Sequence, residues 1–323
     1  MTFDDLLEGL IAPSFSAIGH RSRSRDWTEL SSYDLTGRTV AISGPTSGLG
    51  LATTRMLADL GADLVLLARN PQKLEQLVDE LGETTGTIDT VVVDMGDLDA
   101  VRGAGASILA GHDRLDVLIH NAGALTNERR TTDGGLELTT AVHVVGPFLL
   151  TGLLLPLLRR TDGARVLTMS SGGMYTSPLA VGSLEMSADR YRGAAQYARA
   201  KRAQVTLNAE WARRVPEVTF HALHPGWADT PGVEESLPTF RRIIGRFLRT
   251  PEQGADTLVW LAADDAGGRD SGSFWHDRAP RAIHRLASTR RSDTPERRIA
   301  LWDRVAVMAD RDPAGHADGT LGG

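Results

Sequence analysis

From Arg38 onward the chain alternates between short runs that are apolar throughout and longer stretches with helical spacing. The short runs are Arg38–Ser43, Asp63–Ala68, Ile88–Val93, Leu115–Ile119, Arg165–Met169 and Val218–Leu223, with a last one near Phe274. Between them lie Leu49–Leu60, Pro71–Leu81, Leu98–Ala110, the long region Gly135–Arg160, Gly193–Arg214 and Pro251–Ala263. A strand apolar on both sides must be covered on both sides, and helices alternating with strands achieve this around a parallel sheet. The rhythm predicts an α/β fold of one domain, with a doubly wound, mostly seven-stranded parallel sheet and helices on both faces. Sheets of this kind bind ligands outside the carboxyl ends of their strands, which is where chemistry-bearing residues are to be sought.

The glycines support this. The first strand runs into Ser43-Gly44-Pro45-Thr46-Ser47-Gly48-Leu49-Gly50, just before the first helix. Glycines there permit a sharp turn and close approach to a pyrophosphate, and the following helix adds N–H groups and the positive end of its dipole. These are either plain turn glycines or a dinucleotide site of a Rossmann-type sheet; the position between first strand and first helix favours the second, although the spacing is Gly-x-x-x-Gly-x-Gly. An acidic residue at the tip of the second strand would bind the ribose 2′-hydroxyl of NAD(H). Here the tip reads Ala68-Arg69-Asn70, and Asp63 sits at the wrong end. Arg69 is either a surface arginine or a partner for a 2′-phosphate; the second reading favours NADP(H), with NAD(H) still open. Asp94 and Met95 end the third strand, and Asn121-Ala122-Gly123 end the fourth, where small residues admit a cofactor. Either group could also be ordinary turn chemistry.

On the helix Gly193–Arg214, Tyr197 and Lys201 stand four apart and share one face. An ammonium beside a phenol lowers its pKa, but reaching neutrality from ~10 takes roughly 4 kcal/mol, more than one exposed lysine gives. By itself the pair is either a solvated helix face or half of an acid–base device. Ser171 ends the fifth strand and can hydrogen-bond a carbonyl oxygen, while His224-Pro225-Gly226-Trp227-Ala228-Asp229-Thr230 follows the sixth.

Taken together, the loop SGPTSGLG, HNAG at 120–123, Ser171, YARAK at 197–201 and PG at 225–226 with Thr230 resemble the short-chain dehydrogenase/reductase family from Leu35 to about Asp277. SSGGMYTSP, HPGWADTPGV, GADTLVWLA and the segment near 274–280 are similar to the subgroup called family member 12, including its extra N-terminal stretch. The resemblance implies hydride transfer between nicotinamide and a carbonyl or alcohol carbon. It implies Tyr197 as general acid/base, Ser171 orienting the substrate oxygen, and Lys201 holding the ribose and depressing the tyrosine pKa, helped by the charge of oxidised nicotinamide. It also implies Gly44, Thr46, Ser47, Gly48, Leu49, Gly50, Arg69, Asp94, Met95, Asn121, Ala122, Gly123, Tyr197, Lys201, Pro225, Gly226 and Thr230 as the cofactor-binding set. One position departs from the family pattern: His143 stands where an asparagine is usual. An imidazole there either relays protons or is a packed histidine that weakens the relay.

Met174, Tyr175, Leu179, Trp227, Val233 and Leu237 suggest a wall for a small apolar carbonyl or alcohol, and 231–249 a lid over it. A nucleotide-binding sensor or scaffold is the alternative to an oxidoreductase, and an isomerase or dehydratase is weaker because nothing marks a second substrate domain.

Composition narrows the partners. Of the 323 residues 41% are hydrophobic and 24% charged, and there are no cysteines, which excludes disulfides and thiolate catalysis. A net charge of -6 with pI near 5.9 argues against nucleic-acid binding. The histidines lack His-Glu-x-x-His spacing, so no metal is expected. Asp4 and Asp5 stand where a secretion signal is basic, and the longest apolar run, Phe148–Leu158, contains Pro156. It falls short of the ~20 residues a membrane span needs, so a soluble cytoplasmic protein without stable membrane insertion is expected. A homo-oligomer is compatible with all of this.

Residues 1–34 read as a helical appendage and linker. Phe3, Leu6, Leu7, Leu10 and Ile11 keep helical spacing, Pro13 is expected to end that helix, and His20–Arg25 to be a polar linker. Packing on the body is favoured over a membrane surface, which usually attracts basic helices. The main domain spans 35–277. Beyond it, 278–323 reads as an extension with one helix, capped by Thr294 and Pro295 and carrying Ile299, Trp302 and Val305, then a disordered tail.

Overall fold

The computed structural model describes residues 3–123, 125–231, 242 and 244–309. The chain opens with three short helices, α1 (Phe3–Gly9), α2 (Ile11–Phe15) and α3 (Ala17–Arg23). The repeating part follows as β1 (Thr39–Ser43), α4 (Gly48–Asp59), β2 (Asp63–Ala68), α5 (Pro71–Leu81), β3 (Ile88–Val92), α6 (Leu98–Gly111) and β4 (Val117–His120). Then come α7 (Leu138–Arg160), β5 (Arg165–Met169), α8 (Gly193–Arg214), β6 (Thr219–Leu223), α9 (Pro251–Ala263), β7 (Phe274–His276) and β8 (Ala279–Pro280). Two helices close the described chain, α10 (Ala287–Ser292) and α11 (Pro295–Met308).

Among the described residues the sheet has eight strands, in the order β3-β2-β1-β4-β5-β6-β7-β8. The first seven are parallel, as the alternation predicts, and β8 is an added antiparallel strand paired through Trp275 and His276. Two residues ending in proline carry no apolar run, so β8 has no signal in the sequence. Alternate residues face opposite sides, as the strand pleat requires. Val40 and Ile42 pack under α4, α5 and α9, whereas Ala41, Val65 and Leu118 pack against α6, α7, α8 and α11. Strand order reverses between β1 and β4, which opens a crevice at the carboxyl edge. Ser43, His120, Thr168 and Ala222 lie in one row across β1, β4, β5 and β6, so the four following loops leave the sheet together.

Several expectations are corrected. Pro13 lies inside α2, in a first turn whose N–H groups need no helical partner, and the presumed linker is largely α3. Ser16 caps α3 by accepting from the Ile18 N–H. The 23-residue α7 is long and apolar enough to cross a membrane, which the run Phe148–Leu158 alone did not suggest, and 89% of its apolar window is buried inside the protein. That is the burial of a core helix. In α11, Leu301, Trp302 and Val305 enter the core, whereas Ile299 is exposed. Thr294 caps α11 as expected, accepting from the Arg297 N–H. Residues 310–323, where a tail is expected, lie outside the described residues.

Candidate active site

The glycine loop is held by its neighbours across the crevice. The Ser43 hydroxyl accepts from the Asn121 and Ala122 N–H groups at 3.1 Å each. The Asn121 amide in turn donates to the carbonyls of Ser43 at 3.2 Å and Gly44 at 3.0 Å. Gly44 has φ +69°, and a Cβ on Gly50 would stand 1.9 Å from the Gly44 carbonyl oxygen, so the loop folds back on the first turn of α4. The Ser47 side chain makes no cap bond, and Ser47 is exposed at the helix start, beside Thr46, Gly48 and Leu49. Thr230 lies over this turn, its methyl 3.3 Å from where a Gly48 Cβ would be. The loop, Asn121 and Thr230 thus meet at the first turn of α4.

Arg69 is exposed at the end of β2, beside Asn70, which caps α5. Asp94 is half-buried and spends one carboxylate oxygen on the Gly96 N–H at 2.8 Å, and the Met95 side chain is buried. Asp94 thus shapes the turn after β3, and Met95 packs into the core. Gly123 abuts the His143 ring, where a Cβ would fall 2.6 Å from Cε1.

His143 sits in a π-helical turn, Ala141–Val145, within α7. Such turns interrupt the ordinary helix repeat and redirect side chains. The ring is buried, and it meets the Tyr197 ring edge-on at 5.3 Å between centroids. Its carbonyl accepts from the Gln204 amide at 2.8 Å, so α8 holds this turn in place.

Tyr197 and Lys201 share a face of α8, with the Lys201 Nζ 5.4 Å from the tyrosine ring centre. Lys201 is 3% exposed and donates to the Met169 carbonyl at 2.7 Å, while its own carbonyl accepts from the Ser170 hydroxyl. It is not part of a solvated helix face. Burial pushes the lysine pKa down from 10.5 to about 7. The expectation of a depressed tyrosine fails in the protein alone: burial raises the Tyr197 pKa, and a hydrogen bond from Ser171 only partly opposes it. The physical reason is that the same dryness penalises phenolate and ammonium alike. Ser171 stands at the start of the turn after β5, its hydroxyl accepting from the Gly173 N–H at 3.1 Å.

After β6, Gly226 has φ +76° and donates its N–H to His224 Nδ1 at 3.2 Å. His224 and His276 stack at 3.8 Å, and burial together with Arg249 holds both well below the usual histidine range. The Pro225 carbonyl accepts from Arg249 at 3.3 Å. Of the predicted substrate wall, Trp227 is half-buried beside Gly226. Met174 and Tyr175 are instead interior, 0% and 4% exposed, because they complete an apolar cluster with Phe15 and Phe274. Leu179 is likewise in the main core. Val233 and Leu237 lie outside the described residues. At the far end of the presumed lid, Leu248 and Arg249 are buried, so that end is fixed to the body. Sequence reasoning missed Arg249, Asp277 and Phe15, which the fold brings to this corner from distant segments without a motif.

The geometry agrees with comparisons to known proteins. A family model described as short chain dehydrogenase matches residues 38–239. The chain is 35% identical over 286 residues to human dehydrogenase/reductase SDR family member 12, covering 87% of this chain and 90% of that one. Human retinol dehydrogenase 11 is 30% identical, over 84% of this chain and 86% of its own length. A protein from Mycobacterium paratuberculosis known from its crystal structure superposes with a TM-score of 0.71 at 28% identity, covering 88% of this chain and 98% of that one.

Proposed function

The chain belongs to the short-chain dehydrogenase family, and we propose that it is an NADP(H)-dependent oxidoreductase acting on a small apolar carbonyl or alcohol. One observation carries this reading: Tyr197, Lys201, Ser171 and Gly123 converge at the crevice where strand order reverses, beside a glycine loop locked by Asn121. The residues fit a dinucleotide. Gly44 and Gly50 leave the backbone bare, Arg69 is exposed where a 2′-phosphate would lie, and Lys201 projects from α8 toward the end of β5. Nicotinamide, when bound, supplies or accepts the hydride. Ser171 would orient the substrate oxygen and Tyr197 would give or take its proton. Because burial raises its pKa, Tyr197 holds its proton at neutral pH and is poised to donate it, which suits carbonyl reduction. Trp227 offers an apolar wall, and retinol dehydrogenase 11, by its name, acts on an apolar alcohol.

The test is a cofactor-linked absorbance assay on a panel of apolar carbonyls and alcohols. Tyr197→Phe should lower turnover by about 10²–10⁴-fold with nucleotide affinity unchanged; undiminished turnover removes Tyr197 from the mechanism. His143 favours a second reading, a nucleotide-binding sensor, since it fills the asparagine position with a buried ring. That reading expects tight NADPH binding, no turnover of any panel member, and gain of turnover in His143→Asn.

A further inference from the structure

We infer that the N-terminal segment is a working part of the substrate site, with Phe15 as a residue that positions its wall. α1–α3 precede the stretch that the family model matches, which begins at residue 38. Yet Phe15 is 3% exposed and packed between the loops after β5 and β6. On one side it fills the space over Gly172, next to Ser171: a Cβ there would meet the phenyl Cε2 at 2.7 Å. On the other it meets Trp227 edge-on at 5.9 Å and His224 at 4.4 Å between centroids.

The backbone around Phe15 is tied as firmly as a strand. Its carbonyl accepts from the Trp227 N–H at 2.7 Å and from Arg249 Nε at 3.0 Å. The same guanidinium donates to the carbonyls of Ser16 and Ser14, at 3.2 and 2.8 Å. Gly226 leaves room for this crossing, since a Cβ on it would stand 2.6 Å from the Phe15 oxygen. Buried charge completes the clamp. Asp277 pairs with Arg249 and, at 2.7 Å, with Arg23 of α3, and Arg23 pairs with Asp4 and Glu8 of α1. Such groups are costly to bury unless paired, so the clamp closes only with the N-terminal helices docked.

The Ser171–Gly172 turn and the Gly226–Trp227 turn are the two segments that face a substrate in the proposed reaction. Phe15 is the spacer between them. Its volume therefore sets their separation, and with it the size of the apolar group that fits. The substrate part of this inference rests on the oxidoreductase reading; the packing part does not.

The experiment is hydrogen–deuterium exchange on Phe15→Ala and Phe15→Leu, followed by the carbonyl panel. In Phe15→Ala, amides in 171–176 and 224–228 should exchange about tenfold faster, while 43–50 and 117–123 stay within about twofold. NADPH affinity should be unchanged. Phe15→Leu, which keeps most of the volume, should restore slow exchange, and Phe15→Val, which keeps less, carries the test with the pattern expected of alanine if that variant does not fold. On the panel, Phe15→Ala should raise KM for small carbonyls more than it lowers kcat, and admit bulkier ones. Unchanged exchange, or exchange raised evenly across both pairs of segments, overturns the inference. If the unaltered protein turns over no panel member while exchange follows the expected pattern, the oxidoreductase reading fails and the positioning role stands.

Discussion

Lys201 allows the dryness of the site to be measured as a stability. Burial moves its pKa from 10.5 to about 7. Each unit is worth about 1.4 kcal/mol, so the full shift corresponds to at most about 5 kcal/mol. The unfolded chain binds the proton up to about pH 10.5, whereas the folded one releases it from about pH 7. Between these values unfolding takes up a proton, and stability must rise with pH. Below pH 7 both states are charged and the penalty is fully present; above the unfolded value it is gone. Tyr197, whose pKa is raised, titrates above its ordinary ~10 and leaves most of this window undisturbed. The assay is urea unfolding of the nucleotide-free protein and of Lys201→Met from pH 7 to 9. Methionine removes the charge and the bond to the Met169 carbonyl, a pH-independent loss of about 1 kcal/mol. The stability of the native protein relative to the variant should climb by about 2–3 kcal/mol over this range. A difference flat to within about 0.5 kcal/mol would mean that Lys201 keeps an ordinary pKa, and the dry-site reasoning for Tyr197 would fall with it.

Arg69→Ala should weaken NADPH binding about tenfold or more in a fluorescence titration and leave NADH nearly unaffected, since a charge-assisted bond is worth about 1.5–3 kcal/mol. Equal loss for both nucleotides would refute the 2′-phosphate assignment. Gly50→Ala places a methyl 1.9 Å from the Gly44 carbonyl and must displace the loop; overpacking of this kind costs about 1–3 kcal/mol, read by urea, together with loss of nucleotide binding. Asp277→Asn leaves the buried guanidiniums of Arg249 and Arg23 without their shared carboxylate. The expected cost is about 3–5 kcal/mol in urea unfolding, and a loss under about 1 kcal/mol would show that the clamp does not bear on folding.

What could be read in the sequence divides along a physical line. Strands β1 to β7 and the main helices were legible because their signals are local: apolar runs, helical spacing, and a cap such as Thr294. The glycine loop, Ser171 and the Tyr197–Lys201 pair were legible for a related reason. Each occupies a few consecutive residues, and the fold alone carries them to one sheet edge. The strand β8 escaped because an edge pairing of two residues needs no pattern. The direction of the Tyr197 pKa escaped because spacing gives proximity to an ammonium but not the dielectric around both groups.

The corner built by Phe15, Arg249 and Asp277 was illegible for a stronger reason. Its members lie far apart in the chain, and each reads locally as something else: an apolar residue two places after a proline, an arginine before a helix cap, an aspartate in a turn with φ +50°. Only their meeting gives them a role, because a guanidinium 1% exposed must find a carboxylate, and its remaining N–H groups must find carbonyls. Those carbonyls belong to Ser14, Phe15 and Ser16. Satisfying one buried charge therefore fixes where the N-terminal segment crosses the sheet edge. The crossing in turn sets the spacing of the turns that carry Ser171 and Trp227. The requirement that buried polar groups be paired thus links a segment ahead of the stretch matched by the family model to the shape of the candidate site.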